Sequence, residues 1–181
     1  MTYIENPKNV SGDANVSGNA WVSDNAKVSD NAKVYGNAWV SSNAWVSSNA
    51  WVFDNAKVYG NAWVSDNAKV YGNAKVYGNA RVFGNAKVYS DASVFGNAKV
   101  YSDASVSGDA RIFGNADISS NDDWFSFIYQ GKTLTGYKSR NDIGYEFNIN
   151  GENKTFDEVR DYLSSYFINM IASWKKDKVN D

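Results

Sequence analysis

The sequence predicts an all-β solenoid of very short strands followed by a small C-terminal α+β module. Three observations carry this. Alanine recurs at every sixth position from Ala14 to Ala116, each followed two residues later by an aliphatic, Val16 through Val106 and then Ile112 and Ile118. Asn, or Asp at Asp13, Asp91, Asp103 and Asp109, precedes each alanine, and Gly, Ser or Asp precedes that. After Ile118 the period stops and gives way to alternating apolar residues and a helix-capping signal.

The repeating unit reads Asn67-Ala68-Lys69-Val70-Tyr71-Gly72. In an extended segment Ala68 and Val70 point to one side, Lys69 and Tyr71 to the other. Valine suits a strand and alanine a crowded interior corner. The Asn or Asp position is expected to carry the left-handed backbone of the corner, because these side chains tolerate it best among non-glycine residues. A corner every six residues excludes a helix.

Val34-Tyr35-Gly36-Asn37-Ala38 has the aliphatic, small-residue and Asn spacing of a known pattern. On it the chain resembles the hexapeptide-repeat, left-handed parallel β-helix family, including its YdcK-like and phage-type members, over roughly residues 8–121. The resemblance implies three hexapeptides per triangular turn, hence about six turns between Val10 and Ile118. Stacked about 4.8 Å apart, these make a prism about 29 Å long. Its core is a ladder of Val over Val, which one repeat alone cannot bury. The chain divides at this level into residues 1–121, the β-helix, and 122–181, a capping or interaction module.

Stacking every eighteenth residue sorts the outward side chains into columns. One face carries Tyr35, Phe53, Tyr71 and Tyr89 beside Lys33, Trp51, Lys69 and Lys87. A second carries Tyr59, Tyr77, Phe95 and Phe113 beside Trp21, Trp39, Lys57 and Lys75. The third carries Trp45 and Trp63, then Phe83 and Tyr101 beside Arg81 and Lys99. Stacked rings with lysines laid against them can simply clad a thin prism. Contiguous exposed aromatic surface also marks binding or assembly sites. The candidate binding residues are therefore Tyr35, Phe53, Tyr71, Tyr89, Trp51, Lys69, Lys87, Tyr59, Tyr77, Phe95, Trp45 and Trp63.

Composition bounds the function. The chain has 181 residues, no Cys, no His and a net charge of −2. Absent cysteine excludes a disulfide framework and suits a reducing cytoplasm. No apolar run approaches a membrane span, and the start does not read as a signal peptide. The balanced charge argues against nucleic acid as partner. Outward Thr ranks, which an ice-binding face would want, are missing from the repeats.

In the C-terminal part, residues 124–129 read as a strand, Thr133 to Lys138 as a second, and Ile143 to Ile149 as a third with alternating apolar residues. Thr155 and Glu158 fit a capping box. The following helix is expected to place Val159, Tyr162, Leu163, Tyr166, Phe167, Met170, Ile171 and Trp174 on one face, ending in Lys175, Lys176 and Lys178. This module is expected to close the open end of the prism, whose strand edges would otherwise invite polymerisation.

Acyltransferases and γ-class carbonic anhydrases of the resembled family rely on His, and this chain has none. No loop excursion interrupts the repeats either. Asp122, Asp123, Asp142 and Glu146 could in principle serve as a carboxylate base, but each reads more simply as a turn or solvated residue. Asp91 and Asp109, stacked, are too few for a metal site. The expectation is a non-catalytic binding protein without cofactor or metal. It would present ring and cation ladders to a protein partner, form a homotrimer, and in a phage setting inhibit a host protein. The alternatives are a structural assembly protein and an atypical acyltransferase lacking His.

Overall fold

The computed structural model describes residues 1–129, 131–140, 145–150, 152–164 and 167–172. From Asn15 to Ile118 each hexapeptide contributes one two-residue strand, such as Lys69–Val70, and a two-residue turn. The strands fall into three parallel sheets, each hexapeptide passing to the next sheet. The first sheet runs from Tyr3–Ile4 and Trp21–Val22 to Arg111–Ile112, the second from Lys27–Val28 to Asp117–Ile118, the third from Asn15–Val16 to Ser105–Val106. Lys69 pairs with Trp51 below and Lys87 above, so one coil is eighteen residues and the solenoid has about six coils.

The core follows from the side on which each residue falls. Val22 through Ile118 and Ala20 through Ala116 are at most 1% exposed. The outward residue between them bonds upward through its backbone, Lys69 N–H to Ala86 O at 2.9 Å and Tyr71 N–H to Val88 O at 3.0 Å. Backbone polarity is thus satisfied coil to coil, leaving the interior entirely apolar.

The corners correct one expectation. The left-handed residue is not the Asn or Asp before alanine but the residue preceding it: Asp24 (φ 57°), Ser42 (φ 61°) and Gly78 (φ 70°) are examples. An Asp here has a compensating role, because its carboxylate accepts the corner N–H of the next coil: Asp24 from Ser42 at 2.9 Å and Asp66 from Gly84 at 3.0 Å. The asparagines are thereby left to bond each other. Asn19 donates to Asn37, Asn37 to Asn55 and Asn55 to Asn73 at 3.0–3.2 Å, and Asn73 donates to Asp91. Parallel ladders run from Asn25 to Asn97 and from Asn31 to Asp103.

The solenoid also begins earlier than its alanine period. Tyr3–Ile4 pairs with Trp21–Val22, and Asn6 caps a 3-10 turn at Pro7–Asn9. Neither carries the repeat signature.

At the other end an antiparallel sheet of four strands, in sequential order, comprises Trp124–Tyr129, Lys132–Lys138, Tyr145–Ile149 and Glu152–Lys154. Three strands were expected. The fourth is a short polar edge with no apolar alternation to announce it. Ile143, Asp142, Tyr166, Trp174 and Lys175, Lys176 and Lys178 lie outside the described residues.

The capping box forms as read, Thr155 N–H to Glu158 Oε2 at 2.7 Å and Glu158 N–H to Thr155 Oγ1 at 3.3 Å. The single long helix does not form. An α-turn at Phe156–Val159 tightens into a 3-10 turn at Arg160–Tyr162, Leu163 is extended, and helix resumes over residues 167–172. Ser164 sits at the break, where a serine side chain competes with helical bonding. Both pieces still bury their apolar residues, with Val159, Leu163 and Ile171 packed among Phe125, Leu134 and Phe147.

The sheet closes the last coil with side chains. Tyr137, 0% exposed, completes the valine core. Trp124 Nε1 donates to Ser105 O at 3.0 Å, Asn148 Nδ2 to Arg111 O at 2.8 Å, and Thr135 Oγ1 accepts from Arg111 N–H at 3.3 Å. Ser139 forms an antiparallel bridge with Ala116. Among the described residues, no helix is long and apolar enough to cross a membrane.

Candidate interaction surface

The outward positions hold two kinds of ring. Those following the aliphatic stack face to face along the axis. Tyr35, Phe53, Tyr71 and Tyr89 form one ladder with centroids 4.9–5.0 Å apart and planes within 4°. Tyr59, Tyr77, Phe95 and Phe113 form a second, and Phe83 with Tyr101 a third. All are half-buried. Burial among their neighbours raises the phenols of Tyr35, Tyr59, Tyr71, Tyr77 and Tyr101 above their ordinary value, so they stay neutral.

The rings preceding the aliphatic are tryptophans, and these reach furthest into solvent: Trp39 at 43%, Trp45 at 42%, Trp21 at 40% and Trp63 at 38%. Each column is bracketed by cations or another ring. On the second sheet Trp45 and Trp63 stack at 5.4 Å and 9°, with Lys27 5.9 Å from Trp45 and Arg81 5.6 Å from Trp63. On the third, Lys33 and Lys69 each approach Trp51 to 4.9 Å. On the first, Tyr3 stacks on Trp21 at 4.0 Å, Trp21 meets Trp39 at 5.7 Å, and Lys57 lies 5.7 Å from Trp39.

A rule links the two kinds. Where the outward residue before valine is Trp21, Trp39, Trp45 or Trp63, the residue after it is Ser23, Ser41, Ser47 or Ser65. Where it is a cation from Lys33 onward, the residue after is Tyr or Phe. Only Trp51 with Phe53 carries two rings. The indoles need that space: Trp45 Nε1 donates to Ser29 Oγ at 3.1 Å and Trp63 Nε1 to Ser47 Oγ at 3.3 Å. Ser47, under the Trp63 ring, is only 4% exposed. Each face is therefore tiled with about one large ring per hexapeptide, lodged beside a small or flexible neighbour.

The structure sorts the sequence-derived candidates into three groups. Tyr35, Phe53, Tyr71 and Tyr89, with Trp51, Lys69 and Lys87, share the third sheet. Tyr59, Tyr77 and Phe95 share the first. Trp45 and Trp63 share the second. No surface joins all twelve, since the sheets face different directions. The sequence columns include Trp21 and Trp39 but the candidate binding residues do not, and Tyr3, the ring that continues this column before the repeats, was missed. Arg81 and Lys99 likewise stood in the columns but not among the candidates, and Arg140, which borders one recess with them and Trp63, was missed.

Two of the carboxylates considered as bases, Asp123 and Glu146, are occupied otherwise. Asp123 Oδ2 accepts from Ser119 N–H at 2.7 Å, Ser119 Oγ at 2.8 Å and Ser120 N–H at 2.9 Å. Glu146 accepts from Ser139 Oγ at 2.5 Å and Tyr137 Oη at 3.3 Å. Asp122 is exposed at the surface turn.

The family model described as the YdcK beta solenoid repeat matches residues 74–90. No significant match to a curated protein was found. The matched stretch spans the coil containing Tyr77, Arg81 and Phe83, and so by sequence and architecture the chain is a parallel β-solenoid whose repeat is similar to that of the YdcK solenoid.

Proposed function

We propose that the chain is a non-catalytic binding protein of the hexapeptide-repeat, left-handed β-helix kind, acting in the cytoplasm by presenting its second sheet to a protein partner. The observation that carries this is the Trp45–Trp63 pair: two indoles, 42% and 38% exposed, held parallel and flanked by Lys27 and Arg81. Large rings held by stacking lose little freedom on binding, and Trp and Arg are the residues that dominate interface energetics. The Tyr and Phe ladders suit a different task. Tyr35, Phe53, Tyr71 and Tyr89 form a continuous half-buried stripe, fitted to packing against another copy in a homotrimer. Inhibition of a host protein by a phage-encoded member of this kind is consistent with such a display surface.

Lysate capture with wild type and with Trp45→Ser plus Trp63→Ser, each followed by mass determination, tests the reading. Serine already stands at equivalent outward positions, Ser93 and Ser105, so the fold should hold. A species retained by wild type and lost with the double variant is expected. Identical captures from both would overturn it. Sedimentation should show a trimer in both proteins, dissociated by Tyr71→Ser plus Tyr89→Ser. Assembly beyond a trimer through all three faces favours the structural-protein alternative instead.

A further inference from the structure

Immediately above Trp63 the second sheet changes character. A recess of about 520 Å³ is bordered there by Trp63, Arg81, Lys99 and Arg140, with the amides of Asn79 and Asn97 along one side. Arg81 and Lys99 are register partners on adjacent strands, one coil apart. Arg140 comes from the C-terminal module. Its guanidinium is fixed by two main-chain oxygens, Asn97 O to Nη2 at 2.7 Å and Asn115 O to Nε at 3.3 Å. Among the described residues, no carboxylate borders the recess.

Three described acids near the recess are engaged elsewhere. Asp117, the other register partner of Lys99, bonds to Tyr101. Glu146 is held by Ser139 and Tyr137, and Asp66 accepts the Gly84 N–H across the strand. Like charges opposite one another in a sheet repel. Lys57 over Lys75 and Lys69 over Lys87 share that feature, but as pairs of flexible side chains. On the second sheet a third cation with a fixed guanidinium joins the pair, and an exposed indole stands at its lower edge. An anion entering the recess relieves the repulsion and can form charge-assisted hydrogen bonds to Arg81 and Arg140.

We infer that this recess receives an acidic, extended segment of a protein partner, its carboxylates on Arg81, Lys99 and Arg140 and an aromatic side chain against Trp63. This rests on the proposed protein-binding function and specifies its chemistry. The basic track is short, giving way to Trp63 and Trp45 below and to Asp117 above. A single-stranded nucleic acid needs a longer run of cations to hold its phosphates, and the chain's net charge is −2.

Fluorescence anisotropy with a labelled peptide GEEYEEG tests this, with inorganic phosphate and a short oligothymidine as competitors. The expected result is saturable binding to wild type that falls at least about tenfold with Arg81→Ser plus Lys99→Ser and weakens with added salt. A charge-altered control, Lys8→Glu plus Lys132→Glu, changes exposed residues away from the recess and should bind as wild type does. Equal binding by the Arg81/Lys99 variant, or absence of binding, overturns the inference. So does displacement of the peptide by phosphate or oligothymidine at concentrations where unlabelled peptide does not displace it. If the peptide fails while lysate capture still depends on Trp45 and Trp63, the acidic segment is wrong and the binding function stands. If both fail, both are wrong.

Discussion

The side-chain amide of Asn73 donates to the carboxylate of Asp91 at 3.0 Å, and with that step a run of amide-to-amide bonds rising from Asn19 ends on a group that can only accept. The direction of the ladder is therefore chemically defined. Each internal Asn both receives from the coil below and gives to the coil above, so removing one breaks two bonds. Asn55→Ala is expected to destabilise by about 1–2 kcal/mol, with Asp91→Asn within about 0.5 kcal/mol of wild type, because an amide oxygen accepts as well there. Thermal melting of the two variants checks the contrast.

The core predicts a different asymmetry. Val70 and Ala74 are both 0% exposed. Val70→Ala should cost about 2 kcal/mol through lost burial and a residual cavity. Ala74→Leu should cost at least as much, because the closely stacked corner cannot take the added volume. Denaturant midpoints at constant slope measure both.

At the corners, Gly78 has φ 70° and an added Cβ would stand 3.0 Å from Gly96 N. Asp24 and Ser42 occupy the same corner column with φ 57° and 61°. Gly78→Asp is accordingly expected to cost about 1 kcal/mol, while Gly78→Val, β-branched and without a local bond to offer, should cost several times more. Melting temperatures that do not separate the two would contradict this account.

Tyr137 sets the alkaline limit. Burial first, and then the charge of Glu146, raises its phenol well above the ordinary value. A raised folded-state pKa leaves stability intact below the unfolded value of about 10 and erodes it above, by about 1.4 kcal/mol per pH unit. Unfolding free energy should fall along that slope above about pH 10. Tyr137→Phe should flatten it while costing some stability at neutral pH from the lost hydroxyl bond to Glu146.

Removal of residues 9–26 deletes one whole coil and preserves every column above it, bringing Tyr3 over Trp39 and leaving Lys27, Trp45, Trp63 and Arg81 in register. Removal of residues 49–54 deletes one hexapeptide and turns everything below by one face, so that Trp45 meets Lys69 instead of Trp63. Both should retain β-sheet circular dichroism, since the valine ladder survives either cut. Only the second should lose partner capture by the second sheet.

How far the sequence could be read depended on repetition. The strand position of Lys69–Val70, the burial of Ala74 and the column joining Trp45 to Trp63 all follow from one period applied many times, with local and global signals in agreement. Where repetition ends, so does that advantage. Tyr3–Ile4 and Glu152–Lys154 are strands because a neighbouring strand recruits them, and no pattern within two or three residues encodes a neighbour. The helix after Thr155 had the correct cap, but the chain leaves the helix at Leu163 and Ser164, and packing buries Val159 and Ile171 on separate pieces. Asn was assigned the left-handed corner on propensity, whereas a mix of Gly, Ser and Asp one position earlier already marked the true site. The recess depends on Arg140, which only the folded chain brings beside Arg81 and Lys99.

The way Tyr137, Ser139 and Arg140 seat on the last coil also bears on how the molecule is made. Coils can stack as they leave the ribosome, each resting on the one before, but the newest edge stays unpaired until the chain has grown past Arg140. The module that shields this edge is translated after the coils it shields. A nascent chain is therefore most prone to join another before this module has emerged, and the docking of the module terminates its capacity to grow by borrowing strands from its neighbours.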